Sequence, residues 1–385
     1  MSDNFKKYCN SIGMRFNLNI NRLRTREKEI LKDRFDEFDK EQIERSKVTN
    51  GEKFSHEYFE KKIFNGIEYM SDKTYGYPIN YEESILFMHP DRFFASSSEI
   101  IKQIEDLKPK KVLDLGCYNA VLLSFLAQEF PAIQFFGIDR EREILSFAQK
   151  KFNLSNLHLI GADYENTKDI KSYDCDLIYS CFGYHVDNKF EKYDKPFIRD
   201  NLIYNQLKKE YKKFFEFVNT QCSPNTVFIP IISIGTFEDY VAFIDAATEN
   251  NWNLNFDKTK RLKWFDNAYD ATEQTAVSIL TKGNEGLKNL SNLIELVENK
   301  QLFNLDRALA KYNYENLNKD KIILDSKDIT SQDGYNYYLE LGHPNASKSS
   351  FYCFNYWKTG GAAYFKESDN FEDIEVFLKK IGFSN

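Results

Sequence analysis

The stretch that most constrains the fold runs from residue 111 to residue 130. An apolar run, Val112, Leu113 and Leu115, encloses one acidic residue, Asp114, and stops at Gly116. After a polar break the chain resumes at Val121 as VLLSFLAQEF, with apolar residues at helical spacing. Strand, tight turn and helix in that order form the opening unit of an open α/β sheet. The glycine admits a backbone conformation that a Cβ would obstruct, so a sharp reversal and room for an approaching ligand are expected there.

The rhythm repeats. Further strand-like runs begin at Gln134 (QFFGID), Leu157 (LHLIGAD), Cys175 (CDLIYSCF) and Val227 (VFIPIISI), with helical patterns between the first three of the set. Short, nearly continuous apolar strands alternating with helices predict a parallel sheet covered on both faces. Right-handed crossovers then bring every strand's C-terminal end to one edge. The excursion at residues 186–224 carries Ile203, Leu207, Tyr211, Phe214 and Val218 on one helical stripe and is expected to wall a pocket. A helix over 238–250 follows, and 254–265 and 276–281 are expected to supply the last two strands.

The flanks differ in character. Strict alternation of Met14, Phe16, Leu18 and Ile20 with polar residues predicts a strand over 14–20, available to pair with the C-terminal region. Charged segments at 22–47 and 56–69 read as amphipathic helices, and Tyr75-Gly76-Tyr77-Pro78 reads as a loop. Ser96 to Ser98 are expected to cap a helix over 99–107. After Gly283, helices are expected at 287–297 and 302–312, strands at 335–341, 351–356 and 362–365, and a final helix through Phe371, Ile374, Phe377, Leu378 and Ile381. The domains expected are 1–80, a strand and helical segment serving as lid or dimer contact; 81–283, the central α/β domain; and 284–385, an α+β module suited to homodimer contact.

Composition excludes several classes. The 385 residues include 52 basic and 59 acidic side chains, a net charge of −7 that disfavours broad nucleic-acid binding through phosphate neutralisation. Six cysteines are scattered without a CxxC pair, and five histidines without an HxxxH, so reduced thiols and no metal site are expected. No apolar run approaches the ~20 residues of a membrane span, and MSDNFKKYCN lacks the apolar core of a secretory signal. These features predict a cytoplasmic protein that does not enter membranes.

Four segments carry a resemblance. VLDLGC at 112–117, FFGID at 135–139, LIGAD at 159–163 and YDCDLIYS at 173–180, the last followed by CFGYHVD, resemble in order and spacing the motifs of class I S-adenosylmethionine-dependent methyltransferases. The resemblance covers residues 81–283 and implies a Rossmann-like sheet with an N-terminal helical lid, S-adenosylmethionine as cofactor, and methyl transfer to O or N of a small-molecule or peptide acceptor. It implies that Asp114, Gly116, Cys117 and Tyr118 wrap the methionine end, that Asp139 binds the ribose hydroxyls with Arg140 beside it, and that Asp163 contacts the adenine amine. Tyr164 and Ser180 complete the implied cofactor set, and His185 with Tyr184 stand on the acceptor side as catalytic candidates. Where the family often shows three alternating glycines, this chain has Gly116, Tyr118 and Ala120. That departure leaves open a binding protein without turnover. A protein or peptide methyltransferase that uses the C-terminal module for recognition is the other alternative.

Overall fold

The computed structural model describes residues 1–36, 38, 78–163, 170–183, 199, 202–232, 237–268, 270–283, 290–302, 310, 312–314, 316–317, 321–330, 336–345, 347–357 and 363–380. The chain divides into two compact units. One comprises Met1–Asp187, Glu216–Ser233 and Asn253–Gly283; the other comprises Asn188–Phe215, Ile234–Trp252 and Asn284–Asn385.

The first unit is built on a seven-stranded sheet in the order β3-β2-β1-β4-β5-β9-β6. Its strands are β1 (Lys111–Leu115), β2 (Gln134–Asp139), β3 (Leu157–Gly161), β4 (Cys175–Cys181), β5 (Cys222–Ile231), β6 (Trp252–Leu254) and β9 (Leu280–Lys282). The first five pair in parallel, and β9 runs antiparallel to β5. This is the expected Rossmann-like sheet. Strand order reverses between β1 and β4, which opens a crevice at their C-terminal ends. The helices Val121–Glu129 and Arg142–Lys151 make the crossovers from β1 to β2 and from β2 to β3. The first is buried along nearly its whole length, which is why its sequence is apolar all round.

Several expectations are corrected here. Residues 14–20 form no strand. The chain begins with helix α1 (Ser2–Ser11), reverses through Gly13, and enters α2 (Ile20–Leu31) with the Asn19 side chain accepting from the Arg22 N–H. Met14 is buried, and Phe16 and Leu18 are half-buried between exposed neighbours, so the alternation marks the side of an irregular segment that meets the core and not a ladder. α1 itself enters the core, where Phe5 lies within 6.0 Å of the rings of Phe93, Phe94 and Phe125.

The helix before β1 starts at Pro90, not at Glu99, and runs to Leu107; it is called α4 here, after the short α3 (Tyr81–Leu86). Proline at its first position lacks only an N–H that would be unpaired anyway. Ser96 instead turns its hydroxyl back to the Arg92 and Phe93 carbonyls inside the helix. β5 begins five residues before the apolar run, a register shift opposite Cys175 and Leu177 accommodating Pro224. The stretch expected to give two last strands gives four. Two of them, β7 (Lys260–Asp266) and β8 (Ala271–Val277), form a separate antiparallel hairpin. The helix segments expected at 37–77, apart from Phe38, lie outside the described residues.

The second unit holds the helices Leu202–Thr220 (for most of its length) and Phe237–Glu249, and a four-stranded antiparallel sheet. That sheet runs in the order β10 (Ile322–Thr330), β11 (Asn336–His343), β12 (Phe351–Trp357) and β13 (Ala363–Ser368). β10 was not anticipated, because IILDSKDIT shows no clean alternation. A register shift between Ile323 and Asp325 accounts for that. β12 is apolar on both faces: Tyr352 and Phe354 pack with Tyr314, while Cys353 packs with Leu339 and Ile374 of the final helix (Phe371–Lys380).

Candidate active site

The crevice between β1 and β4 is shaped by backbone contact. Gly116 has φ +81°, and a Cβ there would lie 2.3 Å from the Gly183 Cα. A Cβ on Gly183 would in turn lie 2.2 Å from the Leu115 carbonyl oxygen. The two loops therefore touch main chain to main chain. The glycine that sequence reasoning assigned to ligand approach serves first to let β4's end close on β1.

The loop from Gly116 to Ala120 keeps an alternating backbone. Gly116, Tyr118 and Ala120 all have positive φ, at +81°, +47° and +55°. Tyr118 and Ala120 thus occupy the left-handed conformation that glycine adopts without cost, at about 1–2 kcal/mol each. The loop is held down by the Gly116 and Cys117 N–H groups, both donating to the Ile138 carbonyl, and by the Tyr118 N–H, which donates to Asp139 Oδ2 at 2.7 Å. The Cys117 thiol lies against the bare face of Gly137, and burial drives its pKa well up, with Asp139 and Asp114 adding to the effect.

Asp139 ends β2. Besides the Tyr118 bond, its Oδ1 accepts from the Glu141 N–H at 2.9 Å. Burial raises its pKa, and these backbone donors and Arg140 only partly offset the rise. Arg140 itself is half exposed and lies 3.7 Å from Glu141. The Ala162 N–H donates to the Asp139 carbonyl, which brings Asp163, exposed just beyond β3, to the same edge. Ser180 is fully buried and donates to the Leu115 carbonyl at 2.8 Å, tying β4 to β1. Tyr164, Tyr184 and His185 lie outside the described residues.

Asp114 pairs in register with Gly137 on one side and Tyr179 on the other. Only 5% of it is exposed, and burial raises its pKa well above the ordinary 3.8. The Tyr179 hydroxyl turned toward it offsets the rise only in part, and Asp139 pushes the pKa further up. Two carboxylates thus share one crevice in which burial opposes their ionisation. Such an arrangement is relieved by a cationic ligand with hydrogen-bond donors. The donor set fits S-adenosylmethionine, which carries an ammonium, a sulfonium and a ribose diol.

Ahead of β1, Tyr81 is packed: it meets Phe152 edge-on at 5.3 Å, with the Lys151 ammonium over its ring. His89 caps α4 without a side-chain cap bond. It is open to solvent yet recessed, and burial together with the Arg92 charge lowers its pKa to about 4. Sequence reasoning missed Arg92 and Trp264. Arg92 stacks over Phe182, which follows β4, and Trp264 reaches Phe182 from the β7–β8 hairpin. No sequence signal links these three positions. Among the described residues no group of three or more His, Cys, Asp or Glu is placed to hold a metal ion, and no helix is long and apolar enough to cross a membrane.

Comparison with known proteins agrees with this geometry. A family model described as a methyltransferase domain matches residues 112–195. A protein of Invertebrate iridescent virus 6 that carries a methyltransferase name is 24% identical over 143 residues, covering 33% of this chain and 53% of that protein. Ribosomal RNA small subunit methyltransferase A of Mesomycoplasma hyopneumoniae is 23% identical over 189 residues, 44% of this chain and 69% of that enzyme. Carboxy-S-adenosyl-L-methionine synthase of Campylobacter hominis is 31% identical over 93 residues, 22% of this chain and 38% of that enzyme. The matched stretches thus span between 38% and 69% of the relatives' own lengths. Taken with the sheet order and the acidic strand ends, the match supports a class I S-adenosylmethionine-dependent methyltransferase fold for the central region of this chain.

Proposed function

We propose that the protein transfers a methyl group from S-adenosylmethionine to an oxygen or nitrogen of a small or medium-sized molecule. The observation that carries this reading is the pair of buried carboxylates, Asp114 and Asp139, whose raised pKa values mark a crevice built for a cation. The bound cofactor supplies a methyl group activated on a sulfonium. Asp139, fixed by two backbone donors, keeps lone pairs free for the ribose diol. The loop at 116–120 and Asp114 would hold the methionine end, and Asp163, at the neighbouring strand end, would hold the adenine amine. Beyond Gly183, His185 takes the acceptor's proton as its oxygen or nitrogen attacks, with Tyr184 beside it.

Calorimetry tests the cofactor assignment: Asp139→Ala weakens S-adenosylmethionine binding about tenfold to a hundredfold, and unchanged affinity rejects it. His185→Ala lowers turnover, read as S-adenosylhomocysteine release, more than it lowers cofactor affinity.

The net charge of −7 supports a small acceptor over nucleic acid. The named activity of the ribosomal RNA relative favours the second reading, RNA methylation. Retention of structured RNA in a gel-shift assay at physiological salt would favour that reading. Six free cysteines support a reducing, cytoplasmic setting. Ile323 and Leu324, 49% and 55% exposed on edge strand β10, support self-association through the C-terminal sheet. A monomer in solution scattering would refute that contact.

A further inference from the structure

The end of β4 carries a cluster that none of the cofactor chemistry uses. Phe182 has φ +58°, a left-handed backbone in an aromatic residue, and its N–H is fixed to the Ile231 carbonyl at 2.7 Å. The next residue is Gly183, in main-chain contact with Gly116. The Phe182 ring therefore sits one residue from the crevice, held in a strained conformation of the kind that sets side-chain direction at functional sites. The Arg92 guanidinium carbon lies 4.3 Å from the centre of that ring. Trp264 meets the same ring edge-on at 6.0 Å.

Arg92 is half-buried, and among the described residues its side chain makes no hydrogen bond or ion pair. Its sequence neighbour Asp91 is committed elsewhere: Oδ2 accepts from the Asn267 backbone N–H and side-chain amide, and Oδ1 from the Asn17 N–H. Glu99, further along the helix, is taken by Lys260 at 2.6 Å. A guanidinium held over a ring by its charge, without a hydrogen-bond partner, has N–H donors to offer, and those donors can grip a carboxylate or phosphate at two points. The Trp264 Nε1–H is buried without a hydrogen-bond partner among the described residues.

We infer that Arg92 selects the acceptor: the substrate is a small organic oxyanion, carboxylate or phosphate ester, seated on Arg92 against the Phe182 and Trp264 rings. This rests on the methyltransferase reading for the location of the acceptor and deepens it by naming the acceptor's class. On a chain of net charge −7, an arginine held over an aromatic ring suits a small anion better than a nucleic-acid backbone, which requires a row of cations.

The test uses the full chain and three probes of similar shape: benzoate, phenyl phosphate and neutral benzamide, followed by tryptophan fluorescence. At least one of the anions produces a saturable change and benzamide does not. Arg92→Met weakens that anion's binding by about tenfold or more, and Arg92→Lys recovers much of the loss. Trp264→Phe diminishes the signal. Benzamide binding as well as the anions overturns the inference. So does a lack of saturable change with either anion, or an Arg92→Met variant that unfolds cooperatively like the wild type yet binds the anions within about twofold of it. A short single-stranded RNA that displaces phenyl phosphate far more tightly than either anion overturns it in favour of a nucleic-acid acceptor. Calorimetry with S-adenosylhomocysteine runs in parallel: affinity is the same in wild type and Arg92→Met. Failure of the wild type to bind it would reject the methyltransferase reading, while the anion titrations still judge Arg92 separately.

Discussion

Ala120 sits at the start of the helix after β1 with φ +55°, 1% exposed, where a glycine would carry no steric cost. Replacing it with glycine removes the left-handed strain but loosens the unfolded chain, so Ala120→Gly raises stability by about 0.5–1 kcal/mol in chemical denaturation. Gly116 behaves in the opposite way. Its positive φ and the 2.3 Å approach to Gly183 leave no room for a methyl, and the obstruction is backbone that cannot rotate aside. Gly116→Ala costs about 2–4 kcal/mol, and normal stability in that variant would show that the two loops can separate freely. The sequence showed that Tyr118 and Ala120 stand where glycines are common. It could not show that the loop keeps the glycine-like conformation anyway, because side-chain identity alone does not report φ. The departure is a strained version of the loop rather than a different one.

At the scale of elements, β1 to β4 were readable because strands buried on both faces are short apolar blocks, and their acidic ends are conspicuous. Most of β7 falls in the strand expected over 254–265, but its hairpin with β8 was not legible, since ATEQTAV carries the half-polar composition of a strand exposed on one face. β10 was missed for a related reason. In the C-terminal sheet, β11 presents Glu340, 1% exposed, to a set of donors. Tyr314 and Tyr352 donate at 2.8 and 2.6 Å, Tyr338 donates as well, and the Lys321 ammonium lies 2.7 Å away and also bonds the Tyr314 hydroxyl. Burial opposes the charge on Glu340, yet the donors outweigh it and the pKa falls below the ordinary value. Glu340→Ala leaves a nearly buried ammonium and three tyrosine hydroxyls without their acceptor, and the C-terminal unit loses about 3–5 kcal/mol of stability. A denaturation midpoint unchanged from wild type would show that the cluster is dispensable.

For the whole molecule, the two units respond to pH in opposite senses. Asp114 and Asp139 have raised folded-state pKa values, so their contribution is fully present below the unfolded value of 3.8 and is lost as pH rises through the raised values. Glu340 has a lowered value, so its contribution is present above 4.5 and is lost as pH falls through the depressed value. Calorimetric scans between pH 4 and 8 therefore show the first unit's transition falling, relative to the second's, as pH rises. Asp114→Asn flattens that trend and is more stable than the wild type at pH 8 without cofactor, because an amide is not asked to ionise in the crevice. A wild-type trend that survives Asp114→Asn unchanged would remove Asp114 as its source. The sequence by itself determined the sheet, its strand ends and the acidic residues on its working edge, because local apolar periodicity and turn chemistry are written in neighbouring residues. The contact of Gly116 with Gly183, the crevice's uncompensated charge, and the stacking of Arg92 on Phe182 beside Trp264 were decided only by tertiary structure. Asp114 and Asp139 stand 25 positions apart along the chain, Gly116 and Gly183 67, and Arg92 and Trp264 172, and nothing short of folding brings them together.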